Sequence, residues 1–104
     1  MYDFEDVQTI EDCAEIALTD AYGEYEQIGC WQDYFNEVFS QTKHVRLLDE
    51  KVCLKGFDVI SDVVLVAVCQ KNKKQIKVTL DSIELIRPKK YQKLWLQAYF
   101  EWQV

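Results

Sequence analysis

The sequence predicts an α+β domain in which an N-terminal helical segment precedes a small antiparallel β-barrel and a helix follows it. Three observations support this fold class. Apolar residues recur every three or four positions from residue 7 to residue 38, the period changes to two between residues 43 and 86, and a second helical pattern runs close to the C-terminus. With 104 residues, 49% of them apolar, the chain is predicted to form a single domain with one core, residues 1–104.

The helical segment is predicted over residues 6–40. Thr9 can cap its start, with Asp12 three residues later in an arrangement like a capping box. Gly23 and Gly29 fall inside the pattern and weaken a helix by up to about 1 kcal/mol each. We therefore expect two helices, or one long helix broken near Gly29. The apolar stripe consists of Val7, Ile10, Ala14, Ala17, Ala21, Ile28, Trp31, Phe35 and Val38.

The β-barrel is predicted over residues 43–86, from about five short strands. Val52 and Leu54 are expected to point to one face and the lysines beside them to the other. The run "VVLVAVC" is apolar at every position, which is typical of a strand covered on both faces. Asn72 can adopt positive φ in a turn, and the strand after it should direct Ile76, Val78 and Leu80 inward.

The C-terminal helix is predicted over residues 88–103. Arg87 and Pro88 end the sheet, and a proline in the first turn of a helix is harmless because its missing N–H would have no helical partner. The apolar positions of this helix are Tyr91, Leu94, Trp95, Ala98, Tyr99 and Trp102.

The charge balance restricts the partners. Eighteen acidic and 12 basic side chains give a net charge of −6, which disfavours nucleic acid because a phosphate backbone requires a cationic surface. Metal ions and basic proteins are the favoured partners. The acidic N-terminus does not resemble a secretory signal, and the apolar run Val63–Cys69 is too short to cross a bilayer. A soluble, cytoplasmic protein is expected.

Groups suited to catalysis are sparse, so we predict that the protein is not an enzyme. His44 is the lone histidine, and no nucleophile motif accompanies it. The chain has no glycine-rich phosphate loop, and it leaves little room for a cleft between paired catalytic carboxylates. The four cysteines form no Cys-x-x-Cys pair and are expected to be unbridged and largely buried.

The acidic stretch "TDAYGEYEQIGCWQDYFNE" carries the clearest functional signal. Asp20 and Glu24 are four residues apart on one helical face. Glu24 also occupies a position at which the spacing of the apolar stripe predicts an apolar residue. If the helix continues through Gly29, Glu26 aligns with Asp33 and Glu37 on a second face. Such a face can be a solvated surface or can bind Ca²⁺, which takes six to eight oxygens, although no EF-hand loop is present.

This stretch and the strand region resemble a known family. "DAYGEYEQIGCW", followed by "VCLKGFDVISDVVLVAVCQKNKKQIKVTLDSIEL", resembles the small acidic calcium-binding proteins first known from cyanobacteria, the CcbP-like proteins, over about residues 16–86. The resemblance implies a helical segment before an SH3-like five-stranded barrel. It also implies that Asp20, Glu24, Glu26 and Glu37 match acids of the family pattern. The family tends to follow its acidic helix with Phe-Pro-Phe, where this chain has "VFSQTK", and the loop after the second strand is less acidic here.

Two functions of different classes follow from these residues, beside the third option of a structural barrel without a dedicated site. The favoured hypothesis is an immunity or antidote protein that inhibits a basic toxin, such as a nuclease, through acids and exposed tyrosines. Its predicted partner-binding residues are Glu24, Glu26, Asp33, Glu37, Tyr22, Tyr25 and Tyr34. The alternative is a cytosolic calcium-binding protein, whose predicted metal ligands are Asp20, Glu24, Glu26 and Glu37, completed by Asp58 or Asp62.

Overall fold

The computed structural model describes residues 3–19 and 21–103, and it confirms the α+β class. Three helices and five strands lie within these residues, in the order α1 (Ile10–Leu18), α2 (Glu24–Val38), β1 (His44–Leu47), β2 (Glu50–Ile60), β3 (Val64–Lys71), β4 (Lys74–Thr79), β5 (Ile83–Leu85) and α3 (Lys90–Gln103). A short 3-10 turn, Leu80–Ser82, joins β4 to β5. Of the described helices, none is both long and apolar enough to cross a membrane.

The N-terminal segment forms two helices, and the break lies at Gly23 and not at Gly29. Thr9 caps α1 as predicted, because its hydroxyl accepts the Asp12 N–H while the Asp12 carboxylate accepts the Thr9 N–H. Gly23 is the extended residue that precedes α2. Gly29 lies inside α2, where a Cβ atom would meet nothing within 4 Å. The helix therefore continues through Gly29, because the burial of Ile28 and Trp31 outweighs the weak helical propensity of one glycine.

The prediction of a closed barrel is wrong, and an SH3-like fold is not confirmed. The five antiparallel strands form an open sheet in the order β4-β3-β2-β1-β5, so that β4 and β5 are its two edges among the described residues. Helix α2 packs on this sheet, against β2 and β3, while α1 packs mainly on α2 and α3. Because the helices cover the apolar face, the sheet buries that face without closing on itself.

Strand turns and burial follow most of the predicted pattern. Asn72 has φ +57° in the β3–β4 turn, as expected for asparagine in the left-handed region. Val52 and Leu54 are buried, and the residues between and beside them are exposed. In β3, Val66 is buried on the face opposite Leu65, which agrees with a strand apolar on both sides. On β4 the prediction fails in part, because Ile76 is 42% exposed on an edge strand.

The core centres on aromatic rings from α2 and α3. Trp31 makes edge-to-face contacts with Trp95 and Tyr99, at ring-centre distances of 5.9 and 5.8 Å. Phe35 contacts Phe57 of β2 in the same manner, at 5.3 Å. These contacts pack α2 against both α3 and the sheet, so that one face of α2 is fixed in the core and the other faces solvent.

Candidate functional site

The acidic stretch lies at the junction of α1 and α2 and along the exposed face of α2. Helix α1 ends where Thr19 donates a hydrogen bond through its hydroxyl to the Glu15 carbonyl, and the Ala21 N–H reaches the Leu18 carbonyl at 3.2 Å. Gly23 then begins α2 without a side-chain cap. The connection between the two helices is five residues long, and Glu26 lies in the first turn of α2 directly after it.

Glu26 has a structural role that the sequence pattern did not predict. One of its carboxylate oxygens accepts a hydrogen bond from the Tyr22 N–H at 3.1 Å, and the Gly23 carbonyl accepts the Gln27 N–H at 2.8 Å. Glu26 therefore ties the residue before the N-cap to the first turn of α2, whereas in a capping box the glutamate accepts the N–H of the N-cap residue itself. The available signal was the spacing Gly23-x-x-Glu26, in which glycine cannot itself cap with a side chain.

The acids predicted for a partner surface lie along one face of α2. Because α2 continues through Gly29, Glu26, Asp33 and Glu37 share that face, and all three are exposed. Glu24 begins α2, but its side chain lies outside the described part of the structure. The face is a solvated row of carboxylates with nearby like charges, which favours the approach of a cation.

The three predicted tyrosines divide into two groups. Tyr22 and Tyr25 are 88% and 71% exposed, as expected for side chains that could anchor a partner. The expectation that Tyr34 is exposed fails, because its ring is half-buried and stacks on Trp95 with a ring-centre distance of 5.3 Å and an interplanar angle of 14°. Burial, and secondarily the charge of Glu37, raises the pKa of the Tyr34 hydroxyl.

The predicted calcium ligands do not all surround one point. Glu26 and Glu37 are eleven residues apart on a continuous helix, which corresponds to roughly 16 Å along its axis. Calcium–oxygen distances are only about 2.3–2.6 Å, so these two carboxylates cannot bind the same ion. Within the described residues, no group of three or more His, Cys, Asp or Glu side chains is placed to hold a metal. Asp20 lies outside the described residues.

The two acids predicted to complete a calcium site lie in the β2–β3 hairpin. Asp58 in β2 forms an ion pair with Lys77 of β4 at 2.8 Å, and it also accepts the Val59 N–H. These contacts, led by the Lys77 hydrogen bond, lower the pKa of the Asp58 carboxyl. Asp62 lies in the β2–β3 turn with φ +61°, four residues further along the hairpin. Of the acids predicted at the α1–α2 junction, the structure describes the carboxylate of Glu26.

Comparison with known proteins supports the fold. No family model and no curated protein matches the sequence. Among solved structures, the chain is similar to the crystal structure of Anabaena CcbP, with a TM-score of 0.71 and 12% sequence identity, over 93% of this chain and 93% of that one. The sequence resemblance to CcbP-like proteins is therefore accompanied by a shared fold over nearly the whole length of both chains.

Proposed function

We propose that the protein is a non-enzymatic calcium-binding protein whose site lies at the α1–α2 junction. The observation that carries this proposal is the fold shared with Anabaena CcbP over 93% of both chains, which agrees with the sequence resemblance to the CcbP-like calcium-binding proteins. The most specific segment of the family resemblance, Asp-Ala-Tyr-x-Glu-x-Glu, begins at Asp20 and includes Glu24 and Glu26. This assignment replaces the inhibitor hypothesis as the leading function.

The contacts of Glu26 are compatible with metal binding. The Tyr22 N–H bonds one oxygen of this carboxylate, which holds the side chain against the junction and leaves the other oxygen available. Metal-binding carboxylates commonly carry such an orienting hydrogen bond. Asp20 and Glu24 would add two further carboxylates, and main-chain carbonyls and water would complete the oxygen set that Ca²⁺ requires. The proposed site leaves out Glu37, which lies roughly 16 Å along α2 from Glu26, and Asp58, which is paired with Lys77.

A calcium titration with paired variants tests the proposal. We expect Ca²⁺ to raise the melting temperature more than Mg²⁺ does, with a stabilisation of about 2.7 kcal/mol at 100 times the Kd. The Asp20→Asn/Glu24→Gln variant should lose this response. The matched control, Asp33→Asn/Glu37→Gln, removes the same charge elsewhere on the chain and should keep it. Equal responses to the two ions, or an equal loss in both variants, would contradict the site.

A second candidate function, binding of a basic protein, is favoured by one specific observation. Tyr22 and Tyr25 are largely exposed beside the Glu26 carboxylate, which combines aromatic anchors with negative charge. Inhibition assays against a panel of small basic nucleases would detect such an activity. Charge reversal at Glu26, Asp33 and Glu37 should then slow association and reduce its salt dependence. Association rates unaffected by the triple change would exclude this surface.

A further inference from the structure

A basic pocket lies where two loops of this acidic protein meet, and its volume is about 320 Å³. It is formed by the α2–β1 loop, the β5–α3 loop and the first residues of β1, β2 and α3. Four cationic side chains line it together with one imidazole, and none of its lining residues is a carboxylate. Acids outnumber bases by 18 to 12 in the whole chain, so this composition is the reverse of the average surface. The charged and imidazole residues are Lys43, Lys51, Arg87, Lys89 and His44.

A buried glutamine fixes one wall of the pocket. Gln92 is only 8% exposed, and its carbonyl oxygen accepts the Lys89 N–H at 2.9 Å. Its amide nitrogen donates to the Val38 carbonyl at 3.3 Å and to the Thr42 hydroxyl at 3.2 Å. Gln92 therefore joins the end of α2, the α2–β1 loop and the start of α3, and the pocket is pre-formed at this wall.

The positive charge of the pocket is not neutralised within the described residues. The ion pairs there join Lys71 to Glu50 and Lys77 to Asp58, and neither involves a cation of the pocket. Helix α3 begins beside the pocket, with the Lys89 carbonyl accepting its first helical hydrogen bond, and its first turn contains no acid. Since the N-terminus of a helix is itself positive, cations there are unfavourable unless an anion binds.

We propose that this basic pocket binds a small phosphate-bearing ligand. Lysines act as point charges for phosphate oxygens, and the guanidinium of Arg87 can bind two of them at once. The Thr42 hydroxyl is a further polar group at the wall, and the half-buried Tyr91 ring and Ile86 form an apolar side for the organic part of the ligand. The volume is at the lower end for ligand pockets, about 300–1,000 Å³, which suits a small molecule. The proposal is independent of calcium binding, because it uses none of the junction acids.

Isothermal titration calorimetry with defined anions tests the pocket. The probes are pyrophosphate, adenosine monophosphate and an oligoglutamate peptide, in phosphate-free buffer depleted of metals by resin so that no chelator competes. The test variant is Lys51→Ala/Lys89→Ala. The matched control is Lys73→Ala/Lys74→Ala, which removes two other exposed cations at the β3–β4 turn and the start of β4. If the double variant fails to fold, the single variant Lys51→Ala serves as a second test, because Lys51 is exposed on β2.

We expect saturable binding of at least one phosphate probe at one site per chain. The Lys51→Ala/Lys89→Ala change should weaken it at least about tenfold, which corresponds to the loss of one charge-assisted hydrogen bond. The control should change it by less than about twofold, as surface charges do. The absence of saturable binding by both phosphate probes would overturn the proposal, as would an equal loss in both double variants. Binding of oligoglutamate alone would overturn it in favour of an acidic protein segment.

Discussion

The phenolic oxygen of Tyr99 in α3 accepts a hydrogen bond, 3.1 Å long, from the main-chain N–H of Leu65 in β3. Both residues are buried, and the same Tyr99 ring packs edge-on against Trp31 of α2. Burial raises the pKa of the Tyr99 hydroxyl, while the Leu65 hydrogen bond acts in the opposite direction. This one side chain therefore connects the C-terminal helix to the sheet by a polar contact and to the helical layer by an aromatic one.

Removal of the Tyr99 hydroxyl should destabilise the fold without changing its shape. In Tyr99→Phe the ring contacts remain, but the buried Leu65 N–H loses its acceptor, which costs about 1–3 kcal/mol. Urea denaturation should show a lower midpoint with an unchanged m-value. Tyr25→Phe is the control, since Tyr25 is 71% exposed, and it should leave the midpoint within error. Equal midpoints for the two variants would show that the Leu65 contact contributes nothing.

The same substitution at two glycines should have opposite effects. Gly56 lies at the β2 bulge with φ +149°, and a Cβ atom there would be 3.1 Å from the Asn36 amide oxygen, which accepts the Phe57 N–H. Gly56→Ala should therefore destabilise by about 1–3 kcal/mol. Gly29→Ala, in open space inside α2, should stabilise by about 0.5–1 kcal/mol. Chemical denaturation of both variants measures the two effects, and a shift of the same sign in both would contradict this account.

Local signals in the sequence predicted the local features of the fold. The Thr9–Asp12 cap and the alternation around Val52 depend on residues a few positions apart, and both are present as predicted. The position of the helix break was ambiguous, because each glycine weakens a helix by a similar amount. Tertiary packing of Trp31 decided in favour of a break at Gly23.

Features that depend on distant residues were not predictable in the same way. Five short strands are compatible with a barrel or an open sheet, and strand spacing does not reveal whether the edge strands pair. Tyr34 was expected at the surface because its neighbours are acidic, but Trp95, 61 residues later, covers its ring. For the same reason the sequence pattern did not show that Lys51 lies with Arg87 and Lys89 at one pocket.

The cysteines should differ strongly in reactivity. Cys53 is exposed on β2, whereas Cys13 and Cys69 are buried. Burial, with a contribution from Asp12, raises the pKa of the Cys13 thiol to about 12, and burial also raises that of Cys69. A thiol-specific disulfide reagent should therefore modify Cys53 rapidly and the two buried thiols only at rates limited by opening of the fold. Cys53→Ser should remove the fast phase, and a remaining fast phase of equal size would contradict this assignment.

The Cys13 thiol should also make stability depend on alkaline pH. Because its pKa is higher in the folded protein than the ordinary value of 9.0, the folded state keeps the proton longer. Its contribution is complete below about pH 9 and is lost as the pH rises towards the folded pKa of about 12. Denaturation curves between pH 8 and pH 10 should show a smaller decline for Cys13→Ala than for the parent protein. Parallel declines would show that Cys13 does not ionise on unfolding in this range.

The Asp58–Lys77 ion pair should make a small contribution to stability that is lost at acidic pH. The pKa of the Asp58 carboxyl is lowered first by its hydrogen bond to Lys77 and then by the Val59 N–H. Its stabilising contribution is therefore present above the ordinary pKa of an aspartate, about 3.9, and is lost as the pH falls through the lower folded value. Both side chains are substantially exposed, so salt should weaken the effect.

A carboxyl titration followed by NMR measures this pair directly. In Lys77→Gln, the pKa of Asp58 should rise towards that of a free aspartate but remain somewhat below it, because the Val59 N–H still bonds the carboxylate. Lys73→Gln removes an exposed cation from the β3–β4 turn and should leave the Asp58 titration unchanged. An equal rise of the Asp58 pKa in both variants would contradict this assignment. It would show that the lysines lower the pKa through their combined charge and not through the 2.8 Å contact between Lys77 and Asp58.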